Sequence, residues 1–255
     1  MHVVAIAGWK EENNTALAST VAQALKITAY EVQQRLIAGS PIVLTTLADA
    51  EQAFELKEKL DSLSVSTWVF DPAELRGRGE ALAVRRFELG AASIRIESND
   101  GQAVEVPYTE IDILLPAKSS VTQSGMKTVT ERKFSLGKTL VAGGIPMSKK
   151  VVRQQDVSVV TPGRAIYLYV HTWPLPIVFS QEAMTYEGLG VDMKLSRQQN
   201  FTYLIGELRR RSPLAAYDDR LLQQFGQTRL LGPRLKPETY LDLAVEILAW
   251  SLRLP

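Results

Sequence analysis

The chain contains no cysteine. Disulfides, thiolate metal sites and a cysteine nucleophile are therefore excluded. Histidine is almost as scarce: His2 and His171 are the only two. They cannot build a His-rich metal site and form no H-x-x-x-H pair, so no metal ligand is expected, and His171, at the end of an apolar run, reads as structural. No G-x-S-x-G elbow accompanies them, and nothing supports a Ser-His-Asp set. No segment reaches about 18 continuous apolar residues. The N-terminal "MHVVAIAGWKEENN" has no basic n-region, and its apolar run is too short for a signal peptide. These absences lead to the expectation of a cytoplasmic protein with no catalytic residue and no cofactor.

One stretch challenges that expectation. "KFSLGKTLVAGG", residues 133–144, contains the Gly137-Lys138-Thr139 that ends a phosphate-binding loop. Such a loop requires a further glycine at position 132, where this chain has Arg132. The residues after it are broken by Gly143, Gly144 and Pro146, which argues against the helix that would cap a phosphate. Lys138 then reads as one member of a basic passage.

What the sequence does have is an uneven distribution of charge. The net charge is +1, yet residues 1–74 hold five Lys/Arg and ten Asp/Glu. Residues 118–155 carry Lys118, Lys127, Arg132, Lys133, Lys138, Lys149, Lys150 and Arg153 against Glu131 alone. An acidic front and a basic middle suggest units with different surfaces.

The front, residues 1–71, alternates strand and helix patterns. "HVVAIAG" reads as a short buried strand, and "NTALASTVAQAL" as a helix capped by Asn13 or Asn14. Thr28 and Glu31 form a capping box for a second helix, ended by Gly39 and Pro41. "PIVLT" is a strand. Thr46 caps a third helix in which Leu47, Ala50, Phe54 and Leu60 share a face, and "SVSTWVF" closes the unit as a strand. "DPAELRGRGE", residues 71–80, reads as a linker over 72–80.

From residue 81 the period becomes two. Strands are expected at 84–89, 92–97, 103–107, 110–115, 149–160, 165–171 and 175–180, with Asn99-Asp100-Gly101 as a hairpin turn. Ser196 caps a helix with Phe201, Leu204, Ile205 and Leu208 on one stripe. Arg209, Arg210 and Arg211 end it, where cations suit the helix dipole. The basic passage, residues 118–150, reads as a long loop or an extended hairpin. Residues 213–255 form a C-terminal extension. Its helix, 237–252, opens with Pro237; it is apolar on more than one face and must be sandwiched, inside the chain or in a homo-oligomer.

Two resemblances follow from these patterns. "VAQALKITAYEVQQRLIAGSPIVLTTLADAEQAFELKEKLDSLSVSTWVF" resembles the C-terminal domain of the bacterial ribosomal stalk protein, whose fold is related to that of the Clp protease adaptor. That likeness implies an αβ domain over 1–71. In the stalk family a basic face on the first two helices recruits translational GTPases. Here those helices hold Thr15, Ser19, Thr20, Gln23 and Gln34, with Lys26 and Arg35 the only cations. "AVEVPYTEIDILL" resembles the strand–Pro-Tyr–strand passage of bacterial pleckstrin-homology-like domains, implying an antiparallel β-barrel or sheet over 81–212 with a closing helix. "KFSLGKTLVAGGIPMSKKV" resembles a passage of an uncharacterised bacterial family and brings no function with it.

The fold class expected is α+β in two domains. The function expected is a non-catalytic scaffold or adaptor with a protein partner. The alternatives are a binder of anionic lipid or nucleic acid through the 118–155 arm, and a translation-associated factor. The contact residues expected are Thr20, Gln23 and Lys26 on the first helices, and Lys133, Lys138, Lys149 and Lys150 on the arm.

Overall fold

Five consecutive apolar side chains, Val3 to Ala7, form the middle of strand β1 (His2–Gly8), and all are buried. A strand turns alternate side chains to opposite faces, so both faces of β1 need a cover. The computed structural model shows what supplies it. It describes residues 1–8, 14–37, 39–79, 81–134 and 148–253, with side chains except at 14, 120–134 and 148–162.

β1 is the centre of a three-stranded antiparallel sheet, flanked by β2 (Ile42–Leu47) and β3 (Ser66–Phe70). Val4 and Ile6 face helices α1 (Asn14–Leu25), α2 (Ala29–Leu36) and α3 (Ala50–Asp61), in a core with Leu17, Val21, Val32, Leu56 and Leu60. The order strand, helix, helix, strand, helix, strand is the one expected. The capping box of α2 is present: Glu31 N–H donates to Thr28 Oγ1 at 3.2 Å, and Thr28 N–H donates to the Glu31 carboxylate at 2.8 Å.

Three local expectations are corrected. Thr46 does not cap α3, because β2 continues through it: Thr46 pairs with Val3 and Leu47 with His2. Asp49 is the cap, accepting from Glu51 N–H at 2.9 Å. Phe54 does not join the core and is 54% exposed; Ala53, Leu56 and Leu60, at i, i+3 and i+7, form the buried stripe instead. Residues 72–80 are not all linker. Pro72–Gly77 is helix α4, started by the Asp71 cap on Ala73 N–H with Pro72 at the first position, where its missing N–H costs nothing.

The second sheet is mixed, with the order β10-β7-β8-β9-β4-β5-β6. Its members are β4 (Leu82–Leu89), β5 (Ser93–Ser98), β6 (Ala103–Pro107), β7 (Ile111–Phe134), β8 (Ser148–Val170), β9 (Ile177–Ser180) and β10 (Ala216–Tyr217). The β5–β6 turn has Gly101 at φ +84 alone, with Gly101 N–H on Ser98 O at 3.1 Å. This is a three-residue loop with glycine in the left-handed position. Helix α5 (Arg197–Arg211), capped by Ser196, covers one face with Phe201, Leu204 and Leu208. Among the described residues the sheet is open, not a closed barrel. The one-turn helix at Tyr108–Glu110 separates β6 from β7, and β7 pairs with β8 and β10 instead.

The chain divides into two compact units, residues 1–119 with 163–255, and residues 120–162. In the second, residues 120–134 and 148–162 are strand, continuing β7 and β8. Of the two readings of 118–150, a long loop or an extended hairpin, the described flanks have the strand structure of the hairpin. These flanks are rich in β-branched residues (Val121, Thr122, Thr128, Val129, Thr130, Val151 and Val152), which favour extended backbone.

Within the first unit, the other face of β1 is covered by the C-terminal helices. Val3, Ala5, Val43 and Phe70 share a core with Leu230 and Leu231 of α6 (Gln224–Leu231) and with Leu243, Ala244, Ile247 and Leu248 of α7 (Pro237–Arg253). The same core takes Ile113, Leu115 and Ala117 from β7 and Tyr169 from β8. The helices therefore lie between the two sheets. Trp250 meets Trp68 and Phe70 edge to face, at 5.8 and 5.3 Å. Glu246 accepts from Arg78 Nη1 at 2.9 Å, Trp250 Nε1 at 2.9 Å and the Tyr169 hydroxyl at 3.2 Å. One carboxylate thus ties α4, α7 and β8 together. No helix among the described residues is long and apolar enough to cross a membrane.

Candidate functional site

The basic passage is now a paired structure in part. β7 and β8 are hydrogen-bonded neighbours. Lys127, Arg132 and Lys133 stand in β7, and Lys149, Lys150 and Arg153 in β8. The two basic sequences therefore lie on neighbouring strands of one sheet. Lys138, and with it the Gly137-Lys138-Thr139 stretch, lies outside the described residues. Along 118–155 the only acid is Glu131. Asp156 follows in β8, and a ribbon with this excess of cations attracts polyanions through the sum of its charges, without one special residue.

The contact residues expected on the first helices lie at the C-terminal half of α1 and just past its end. Thr20 and Gln23 stand one turn apart on α1, with Thr20 half-buried and Gln23 exposed. Lys26 lies beyond the helix, at φ +53. Ile27 N–H reaches back to Ala22 O at 3.1 Å, the bond that closes a helix when the residue between is left-handed. Glycine usually holds that position, and an ordinary side chain there costs about 1 kcal/mol.

This geometry brings Lys26 to a hollow of about 270 Å³ whose lining includes Arg35, Thr45, Gln52 and Arg234. No acid lines it. Arg35 is half-buried and held by a 2.6 Å bond from Nη1 to Leu44 O. The carboxyl of Glu31 lies below its ordinary range, chiefly through the Thr28 backbone and hydroxyl bonds and less through Arg35, so it is already committed to its cap. Arg234 comes from the turn before α7, about 200 residues away in sequence from Arg35. Spacing along the chain groups Lys26 with Thr20 and Gln23; the hollow also sets it beside side chains from α2 and the C-terminal extension. The scarcity of cations on the first two helices was the available signal for Arg35; Arg234 had none.

The chain matches no family model, no curated protein and no solved structure. Its own chemistry must then speak for its function. Among the described residues no group of three or more His, Asp or Glu side chains could hold a metal. His171 is exposed, with Nδ1 3.5 Å from Asp112 Oδ2. Asp218 is held by Arg220 at 2.7 Å. The strongly shifted groups serve the fold. Burial pushes the Tyr169 phenol far above its ordinary value, and Glu246 adds to it. Burial, then Asp242, pushes Tyr167 up to about 12. Glu207 is held down to about 2, first by its bond from Arg210 and then by Arg211. Tyr169 and Glu207 have hydrogen-bond partners within the packing, and Tyr167 packs against the core between the sheets.

Proposed function

We propose that this protein is a non-catalytic adaptor whose ribbon, 120–134 with 148–162, binds nucleic acid. The observation that carries the reading is that β7 and β8 are neighbours in one sheet and that the ribbon holds six cations, Lys127, Arg132, Lys133, Lys149, Lys150 and Arg153, against Glu131 and Asp156. A two-stranded ribbon is one of the shapes that enters a major groove, and cations along it displace the counterions of a phosphate backbone. The remaining layers would then form the body that couples the ribbon to a protein partner. Two resemblances support that part. The element order of residues 1–71 and the β2-β1-β3 sheet agree with a stalk-protein-like domain. The run β4 to β9 followed by α5 supports a pleckstrin-homology-like one in element order alone, the sheet being mixed and open.

The test is fluorescence anisotropy with a labelled 20-base-pair duplex across a potassium chloride series, with acidic lipid vesicles beside it. The intact chain should bind the duplex with affinity falling steeply as salt rises. Changing Lys133, Lys138, Lys149 and Lys150 to Ser should flatten the log–log slope by up to about 3.6, or about 0.9 for each phosphate no longer neutralised. Absence of duplex binding at low salt, or binding to the vesicles alone, overturns the reading.

A further inference from the structure

We infer that the hollow at Lys26, Arg35 and Arg234 is a binding site for a phosphate group. It uses none of the ribbon's residues and does not rest on the ribbon reading. Three cations reach it from three separate elements: the end of α1, α2, and the turn before α7. No carboxylate lines the hollow; Arg35 feels the charge of Glu31, which is bound to its cap, and among the described residues Lys26 and Arg234 have no ion-pair partner. Surfaces usually intersperse charges of both signs, so three cations lining one concavity that no acid lines give it a positive field that favours an anion.

The arrangement selects the kind of anion. A carboxylate is satisfied by the fork of one arginine. Three cations converging from different directions suit a group with several charged oxygens, and phosphate has that form. Thr45 and Gln52 add neutral donors to the lining. The volume, about 270 Å³, lies just below the range of pockets that enclose whole cofactors. It fits a phosphate group with little of the molecule behind it. Arg35 is fixed in advance by its bond to Leu44 O, so the site is partly organised before the ligand arrives. Lys26 holds a left-handed conformation that glycine would adopt more easily. The cation stands where folding alone would favour no side chain.

That last point supplies a clean variant. Lys26→Gly removes the charge and relieves the backbone, so it should fold at least as stably as the parent. Arg234→Gln removes an exposed cation from a different element. The experiment is calorimetric titration of the full chain with inorganic phosphate, glycerol phosphate and sulfate in constant chloride, with amide NMR shifts followed at Lys26, Ile27 and Leu235. Phosphate should bind at one site and move those amides. Each variant should weaken binding at least about tenfold while thermal unfolding shows it intact. The four-lysine ribbon variant should keep this binding, which separates failure here from failure of the ribbon reading. Equal affinity for phosphate in the parent and both variants overturns the site. Equal weak response to all three ligands, unchanged by Lys26→Gly, means an adventitious ion only and overturns it as well. Comparable affinity for free phosphate and glycerol phosphate means that the phosphate group alone is recognised. Preference for the ester means that the attached carbons are held too. Both results support the site.

Discussion

The two faces of the three-stranded sheet are covered in different ways. Under α1, α2 and α3, the core is drawn from residues 4–65, a nearly continuous segment of the chain. On the opposite face, Val3, Ala5 and Phe70 meet side chains from β7, β8, α6 and α7, and the cluster reaches from residue 3 to residue 249. The first core is local and the second is a junction. A local core can close as soon as its own segment folds. A junction core closes only when distant parts of the chain arrive, at a larger cost in loop-closure entropy. The same sheet therefore belongs both to an αβ layer and to the larger assembly that joins it to the second sheet.

The sharpest way to separate the two is to empty each core in turn. Leu248 and Leu60 are both fully buried. Either change to Ala should destabilise by about 2–5 kcal/mol in urea denaturation. The distribution should differ: hydrogen exchange of Leu248→Ala should lose protection in both sheets, β1 and β8 alike, whereas Leu60→Ala should lose it mainly in the first sheet and α1 to α3. Equal patterns would mean that the whole first unit folds as one body and that the distinction has no energetic meaning.

A smaller effect should come from the junction's polar hub. Glu246→Ala leaves the Tyr169 hydroxyl and Trp250 Nε1 without their acceptor. A loss of about 1–3 kcal/mol is expected, with Trp fluorescence reporting the altered Trp250 site. Glu246→Gln, which retains a carbonyl acceptor, should recover part of it. No difference between the two would show that the hub contributes only packing.

The smallest effect lies on a local device of the second sheet. Glu207 accepts from Arg210 Nη2 at 2.7 Å and Arg211 Nε at 2.9 Å, and Arg211 also reaches Gly90 O of the β4–β5 turn. Its folded pKa, about 2, lies below the ordinary 4.5. A depressed carboxyl stabilises fully above its ordinary pKa and loses that effect as pH falls through the folded value. Between pH 4.5 and 2, Glu207→Gln should therefore lose less stability than the parent, by about 1 kcal/mol once solvent screening at the exposed Arg210 is allowed for. Parallel acid titrations of stability would show that the fork does not hold α5.

Particular residues show why some of this was legible in advance and some was not. The Thr28–Glu31 box, the Ser196 cap and the α5 stripe were readable because each needs only its own turn of helix. Thr46 misled because it has the chemistry of a cap, yet cross-strand pairing with Val3 kept it in β2. Phe54 misled because its size suggests a core, whereas its position on α3 points it to solvent. Of the contact residues, Lys26 could be named, but its neighbours Arg35 and Arg234 could not be joined to it by any spacing in the sequence.

The sequence by itself determined most local elements, the α+β class, the basic character of 118–155 and the need to cover both faces of β1. All of these rest on periodicity, capping chemistry or charge, which act over a few residues or are simple sums. Tertiary structure decided what covers the second face, that β7 leaves β6 to pair with β8 and β10, and that Lys26, Arg35 and Arg234 line one hollow. Those outcomes depend on which distant segments bury each other's apolar surface, and burial is a property of the whole packed unit.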